Sequence, residues 1–201
     1  MIKGRSPLAI TIGILVALGA LFVAFSGIYI DWLWFKSVDF SSVWTTVLTT
    51  KVELFLIFGL ITATLITANV VIAYRKRPLY VPTNFTENPF DRLRTQLQPM
   101  IKWVGVAIFL AVTYFAGSSA VLFWKDYLLF KNATPFGVKD PQFGLDISFF
   151  AFKLPFYEQL LAWGISALVF TVMATLAVHY MYGGIRQAGT GERTTVVARV
   201  Q

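Results

Sequence analysis

The stretch LAITIGILVALGALFVAFSGIYI, residues 8–30, decides the class of this fold, because its 23 residues include no charged side chain. A bilayer hydrocarbon core about 30 Å thick is crossed by roughly 20 apolar helical residues. Three further stretches meet this requirement, at residues 54–74, 103–124 and 159–182. The sequence therefore predicts an all-α, polytopic membrane protein whose four transmembrane helices form two hairpins with short interfacial helices.

The composition of the 201-residue chain excludes a soluble globule. Apolar residues make up 57%, charged residues are 13% against a usual share of about 25%, and mean hydropathy is +0.67. A water-soluble protein of this size could not bury that much apolar surface. Because the chain has no cysteine, it has neither a disulfide nor a thiolate metal site. We expect a single transmembrane domain over residues 1–201.

The first apolar stretch also resembles a secretory signal peptide, because Lys3 and Arg5 precede it. Its apolar part, however, is longer than the roughly 7–15 residues that a signal peptide has. We therefore favour an uncleaved anchor.

The distribution of Lys and Arg predicts the orientation of the spans. With the N-terminus inside, the inner segments hold 11 of the 17 basic residues, including every arginine, and 3 of the 10 acidic residues. Cytoplasmic loops carry such an excess of positive charge. The net charge of +7 therefore indicates topology rather than nucleic-acid binding. We expect a multi-pass plasma-membrane protein with both termini cytoplasmic, an inner loop at 75–102 and outer loops at 31–53 and 125–158.

The inner loop is basic and suits an anionic lipid surface. It opens on a cluster of cations, and Asn88-Pro89-Phe90-Asp91 is a typical helix start. We predict a short helix on the anionic inner leaflet, with a partner-binding helix as the alternative. The predicted lipid contacts are Arg75, Lys76, Arg77, Arg92 and Arg94.

Small residues recur at helical spacing along the predicted spans. In lipid, small side chains let helices approach closely. Such faces indicate either static packing or the moving seam of a transporter, and static packing is the simpler interpretation. A lone amide within a span is interpreted in the same way. The predicted helix-packing residues are Gly13, Ala17, Gly59, Ala63, Asn69 and Gly164.

The outer loops contain more aromatic residues than a connection between helices requires. Asp31-Trp32-Leu33-Trp34-Phe35 fits an interfacial aromatic belt, and a helix is predicted from Ser41 into the second span. Residues 140–150 are DPQFGLDISFF, in which Asp-Pro and Phe-Gly predict a turn and Asp146 a helix cap. We expect these Phe side chains to be buried, either in the membrane or against a domain or partner outside this chain. The predicted contact residues are Asp140, Pro141, Phe143, Gly144 and Asp146.

The residues give no catalytic, cofactor or metal site. Ser118 and His179 could suggest an intramembrane serine protease, but the predicted topology separates them by roughly 15 Å of depth in a ~30 Å core. A nucleophile and its base need to lie about 3 Å apart. His179 is instead predicted to be an interfacial residue, and one His without Cys leaves no transition-metal cluster. We therefore expect no enzyme activity, cofactor or metal in this chain.

Motifs in the loops and span ends together resemble one family. They are Asp31-Trp32-Leu33-Trp34-Phe35-x-Ser37-Val38, Ala73-Tyr74-Arg75-x-Arg77-Pro78, Asp140-Pro141-Gln142-Phe143-Gly144-x-Asp146-Ile147-Ser148-Phe149, Leu154-Pro155-Phe156-Tyr157 and His179-Tyr180-x-Tyr182-Gly183-Gly184-Ile185-Arg186. From about residue 27 onward the chain is similar to the amino-terminal part of uncharacterised protein family 0182, bacterial multi-pass membrane proteins. The resemblance implies further spans and a large extracytoplasmic region, so we expect this chain to be a fragment. It supplies no catalytic residue.

The sequence is compatible with three functions. The first is a membrane anchor and assembly module that presents or packs against an extracytoplasmic domain or partner. The second is a subunit or fragment of a transporter or channel, and the third is an enzyme whose active site lies beyond residue 201. The expected partners are the bilayer and that extracytoplasmic domain, with oligomerisation left open and no nucleic acid.

Overall fold

The computed structural model describes residues 7–76 and 98–182 and confirms the all-α prediction for them. In chain order the elements are α1 Pro7–Ser37, α2 Ser41–Arg75, a 3₁₀ turn Gln98–Met100, α3 Ile101–Val121, α4 Trp124–Lys131, a π-helical turn Phe149–Lys153 and α5 Leu154–Met181. No strand occurs in these two ranges, in which Lys139 and Asp146 form an isolated antiparallel bridge.

Within residues 7–76 and 98–182, four helical segments are long and apolar enough to cross a membrane, as the sequence predicts. They are Thr11–Ser37, Ser41–Arg75, Ile101–Val121 and Phe149–Met181. Three of them extend well past the predicted spans, because apolar runs mark only the part of a helix that lies in lipid, whereas a helix continues to a local stop signal. The helix predicted to start at Asn88 lies outside the described residues.

A left-handed residue ends α1. Asp39 has φ 64°, its N–H donates to the Lys36 carbonyl at 3.2 Å, and the Phe40 N–H donates to the Phe35 carbonyl at 2.9 Å. This pair of bonds is the Schellman pattern, in which Asp stands where Gly is usual. α2 begins directly after it at Ser41, which confirms the helix predicted to lead into the second span.

The chain divides into two compact units, Met1–Thr50 and Lys51–Gln201, with the boundary inside α2. In the first unit, α1 exposes large apolar side chains from Leu8 to Trp34. This exposure suits a helix that contacts lipid. The second unit contains a buried cluster, which consists of Leu54, Phe58, Ala120, Phe123 and Phe156.

Two glycines bring α2 and α3 into backbone contact. A Cβ on Gly59 would lie 2.7 Å from the Thr113 carbonyl oxygen, and one on Gly117 would lie 2.7 Å from the Phe55 carbonyl oxygen. Ala63 on α2 is completely buried. In lipid, packing at this distance replaces the hydrophobic driving force.

The helix that corresponds to the predicted third span, 103–124, ends before the predicted C-terminal bound. α3 ends at Val121, and a turn at Leu122 and Phe123 leads into α4. The turn leaves Leu122 81% exposed and Phe123 8% exposed. The Phe123 ring packs edge-on against Phe58 at 5.3 Å and lies 6.4 Å from Phe156, so the break in the helix places an aromatic side chain in the core.

A side-chain hydrogen bond joins α2 to α5. Trp163 Nε1 donates to Thr62 Oγ1 at 3.0 Å, and the Thr62 hydroxyl donates to the Phe58 carbonyl at 2.7 Å. The Trp163 ring also packs edge-on against Phe58 at 4.7 Å. Every polar atom of this pair therefore has a partner within the helices that carry it.

Candidate functional site

The loop 132–148, between α4 and the π-helical turn, is organised by the carboxylate of Asp146. That carboxylate accepts hydrogen bonds from the N–H groups of Gly137 at 2.8 Å, Phe136 at 3.1 Å and Ser148 at 2.8 Å. Two of these donors lie nine and ten residues earlier in the chain. Asp146 thus closes the loop and also caps the helical residues that follow, as the sequence predicts.

Hydrogen bonding stabilises the charged form of Asp146. The pKa of its carboxyl is lowered from 3.8 to about 2, first by the Ser148 hydroxyl and then by the N–H groups of Ser148, Phe136 and Gly137, while desolvation opposes the shift. A carboxylate that accepts several backbone N–H bonds shows this behaviour. Asp146 is therefore an anion at neutral pH.

A second aspartate shapes the tip of the loop. The Asp140 carboxylate accepts hydrogen bonds from the N–H groups of Gln142 at 3.0 Å and Phe143 at 2.7 Å. Its backbone carbonyl accepts one from Gly144 at 2.9 Å, and Gly144 has φ 66°. Pro141 supplies the fixed φ that the start of a turn favours. The turn predicted from Asp-Pro and Phe-Gly is present.

The braced loop leaves large apolar side chains uncovered by the described part of the chain. Phe156, just past the loop, is buried in the core. Phe143, in contrast, is 64% exposed and Phe136 is 51% exposed, although their rings contact Phe150 at 5.9 Å and Phe152 at 5.3 Å. The exposed apolar residues, here called the loop patch, are Phe136, Val138, Phe143, Leu145 and Ile147.

The predicted helix-packing residues have different surroundings. Gly59 lies in the α2–α3 contact and Ala63 is buried, whereas Ala17 is exposed. A Cβ on Gly13 or Gly164 would meet no heavy atom within 4 Å among the described residues. For Gly13, Ala17 and Gly164, contact with another helix therefore stays a prediction.

Asn69 donates from Nδ2 to the Leu65 carbonyl at 2.9 Å, one turn earlier on its own helix. This bond supplies one partner for the lone amide of the second span.

The predicted lipid contacts are described only in part. Arg75 ends α2 and is exposed, and Lys76 follows it and is also exposed. Arg77, Arg92 and Arg94 lie outside the described residues. Their contact with an anionic leaflet stays a prediction.

The structure keeps Ser118 and His179 apart. Ser118 is one turn before the end of α3, near Phe123, and Phe123 contacts Phe156 at the start of α5. His179 follows Phe156 by 23 residues, which is about 35 Å of helix. The His179 side chain is buried, so it does not lie on the protein surface. Among the described residues no group of His, Cys, Asp and Glu could hold a metal ion.

Sequence reasoning missed two contributions to this region. It predicted Asp146 as a cap but not its bonds to Phe136 and Gly137, for which the Pro135-Phe136-Gly137 turn signal was available. It also missed the hydrogen bond between Thr62 and Trp163, which lie 101 residues apart in the chain. No local pattern reports that contact.

Comparison with known proteins gives a match over nearly the whole chain. Residues 8–201 match the model of the Uncharacterised protein family (UPF0182). A UPF0182 protein of Streptomyces coelicolor is 42% identical over 191 residues, which are 95% of this chain and 19% of that relative. UPF0182 proteins of Rhodococcus opacus and Salinispora tropica are 42% and 41% identical over 86% and 94% of this chain, and over 17% and 19% of their own lengths. The chain thus spans about a fifth of the length of these relatives. No solved structure matches it.

Proposed function

This chain belongs to the uncharacterised protein family UPF0182, and we propose that it is a non-enzymatic anchor and assembly module of the bacterial plasma membrane. In this proposal its helices hold the loop patch in place for an extracytoplasmic domain or partner. The observation that carries the proposal is the loop 132–148, whose backbone is hydrogen-bonded to two carboxylates and which exposes five large apolar side chains.

The physical argument rests on preorganisation. An exposed apolar cluster is costly in water, and clusters of this kind mark interaction sites. A surface that is already fixed before binding loses less conformational entropy when a partner arrives. The Asp146 carboxylate binds backbone N–H groups near both ends of the loop, and the Asp140 carboxylate binds those at its tip. Relatives about five times longer than this chain offer a source for the covering domain.

The proposed orientation of the protein in the membrane follows from the distribution of charge. The Lys and Arg excess favours cytoplasmic termini, and the loop 132–148 then lies on the extracytoplasmic side. In this proposal Arg75 and Lys76, at the end of α2, contact the opposite, anionic leaflet.

Photocrosslinking in the full-length protein tests the proposal. A photoreactive residue is introduced at Phe143, and the matched control carries it at the adjacent, exposed Gln142. We expect position 143 to give protein adducts, either with a later segment of the same polypeptide or with a partner, and position 142 to give markedly fewer. Adducts only with lipid, or equal labelling at both positions, would contradict docking of a domain.

The second candidate is a subunit of a transporter or channel, and a groove of about 890 Å³ beside α2, α3 and α5 favours it. Hydroxyl groups along these helices, such as Thr113 and Thr171, donate to carbonyls of their own helix, which weakens the case for a polar pathway. Solute flux into proteoliposomes that contain the full-length protein would support this candidate. Absence of flux for envelope solutes would leave the anchor module as the better account.

A further inference from the structure

The groove beside α2, α3 and α5 has an apolar body. Its lining includes the buried Ile66 of α2 and the exposed rings of Phe115 and Phe170 on α3 and α5. On α5 it extends from Gln159 to Ala174, about 22 Å at 1.5 Å per residue. This length exceeds half of a hydrocarbon core about 30 Å thick, which is the reach of one lipid acyl chain. Its volume of about 890 Å³ falls within the range of roughly 300–1,000 Å³ typical of ligand sites.

Two polar groups in the middle of the groove already have hydrogen-bond partners. Trp163 Nε1 is bonded to Thr62 Oγ1, and the Ser166 hydroxyl donates to the Ala162 carbonyl at 2.8 Å. An occupant of this part therefore needs no hydrogen-bonding groups of its own. An acyl chain meets that condition.

The end of the groove nearest α4 is different. Asp126 and Gln159 line it, and within the part of the chain that the structure describes neither side chain has a hydrogen bond or an ion pair. The neighbouring cations contact an aromatic ring instead, since Lys51 Nζ and Lys125 Nζ lie 5.3 and 5.6 Å from the Trp124 ring centroid. An acidic group and an amide are thus available to a ligand at one end of the apolar groove.

We infer that this groove binds a membrane phospholipid with a primary ammonium headgroup, its acyl chain along α3 and α5 and its ammonium at Asp126 and Gln159. An ammonium group supplies three donors and a positive charge, which match a carboxylate and an amide oxygen. An anionic headgroup would meet the Asp126 carboxylate unfavourably. The division into one polar end and one apolar body matches an amphiphile, in which a charged headgroup and an acyl chain are separated in the same way.

Native mass spectrometry of the full chain tests this inference. The detergent-solubilised protein is exposed to equal amounts of phosphatidylethanolamine and phosphatidylglycerol. We expect preferential retention of phosphatidylethanolamine, and Asp126→Asn is expected to lower its occupancy about threefold to fivefold, the weight of one exposed ion pair. The matched control is Glu158→Gln, an exposed acid next to Gln159 that does not line the groove and is expected to change nothing. Equal retention of both lipids, or an unchanged Asp126→Asn variant, would overturn the headgroup assignment.

Two further measurements locate the bound lipid. Ala162→Phe places a ring in the groove from an exposed position of α5 and should displace both lipids, whatever happens to the stability of Asp126→Asn. Retention of phosphatidylethanolamine by Ala162→Phe would show that the lipid binds elsewhere. A photoreactive residue at Ser166 should form lipid adducts, and adducts with a protein segment in their place would make a helix the occupant.

Discussion

The α2–α3 crossing and the loop 132–148 are both held in one geometry, but by opposite means. At the crossing, Gly59 and Gly117 lack side chains, so backbone atoms of the two helices approach directly. In the loop, the carboxylates of Asp140 and Asp146 bind backbone N–H groups. Backbone groups inside a membrane helix already have partners, which leaves close contact as the means of association. Irregular backbone has unpaired N–H groups, for which a charged acceptor is the strongest partner.

The largest expected effect comes from filling the crossing. Gly117→Val would place its Cβ 2.7 Å from the carbonyl oxygen and ring of Phe55, and a backbone oxygen cannot move aside as a flexible side chain could. We expect the free energy of unfolding in mixed detergent to fall by at least about 3 kcal/mol, at the upper end of overpacking costs.

The control for this substitution lies on the same helix. A Cβ on Gly105 would meet no heavy atom within 4 Å among the described residues. Gly105→Val should therefore change the free energy of unfolding by less than about 0.5 kcal/mol, as open surface positions do. Equal losses in the two variants would mean that the backbone contact at Gly117 does not set the cost.

The next effect concerns the hydrogen bonds between the Asp146 carboxylate and the loop backbone. The folded pKa of Asp146, about 2, lies below its ordinary value of 3.8, so its bonds stabilise the loop fully above that ordinary value. The contribution declines as pH falls below 3.8 and is lost once pH passes the folded pKa. We expect the NMR shift of the Gly137 amide to titrate with a midpoint near 2.

Asp146→Asn separates this titration from general acid unfolding. The variant keeps the size of the side chain but has no carboxyl, so its Gly137 amide should show no such transition. A wild-type midpoint at 3.8 would indicate that the hydrogen bonds to Phe136, Gly137 and Ser148 do not favour the anion in solution.

The sequence predicted the parts of this fold that depend on local chemistry. Apolar runs predicted the four long apolar helices of the described residues, and Asp-Pro, Phe-Gly and Asp146 predicted the turn and the cap in the loop. The break at Leu122 and Phe123 was missed because neither residue is a helix breaker, and packing of Phe123 against Phe58 favours it only in the folded chain. The groove was missed because its walls come from helices that are distant in sequence and meet only in the folded chain.

A smaller effect is expected at the tip of the loop. Gly144 has φ 66°, a region in which a Cβ costs about 1 kcal/mol. Gly144→Ala should lower the free energy of opening of the Asp140 turn by about that amount. Hydrogen exchange at the Phe143 amide should then be faster. Gly164→Ala, at an unstrained helical position with open space among the described residues, should be neutral or slightly stabilising. Equal effects would remove backbone strain as the explanation.

The smallest effect concerns the hydrogen bond between α2 and α5, which lies within the spans and so tests whether hydrogen bonds matter there at all. Thr62→Val removes the acceptor of Trp163 Nε1 while keeping the shape of the side chain. Interhelical hydrogen bonds in membranes contribute on average about 0.6 kcal/mol, so the free energy of unfolding should fall by roughly that amount. Thr171→Val is the matched control, because its hydroxyl donates only to Ala167 on its own helix in the described contacts. A double-mutant cycle with Trp163→Phe isolates the pair. A coupling energy near zero would mean that this hydrogen bond does not contribute to the association of α2 with α5.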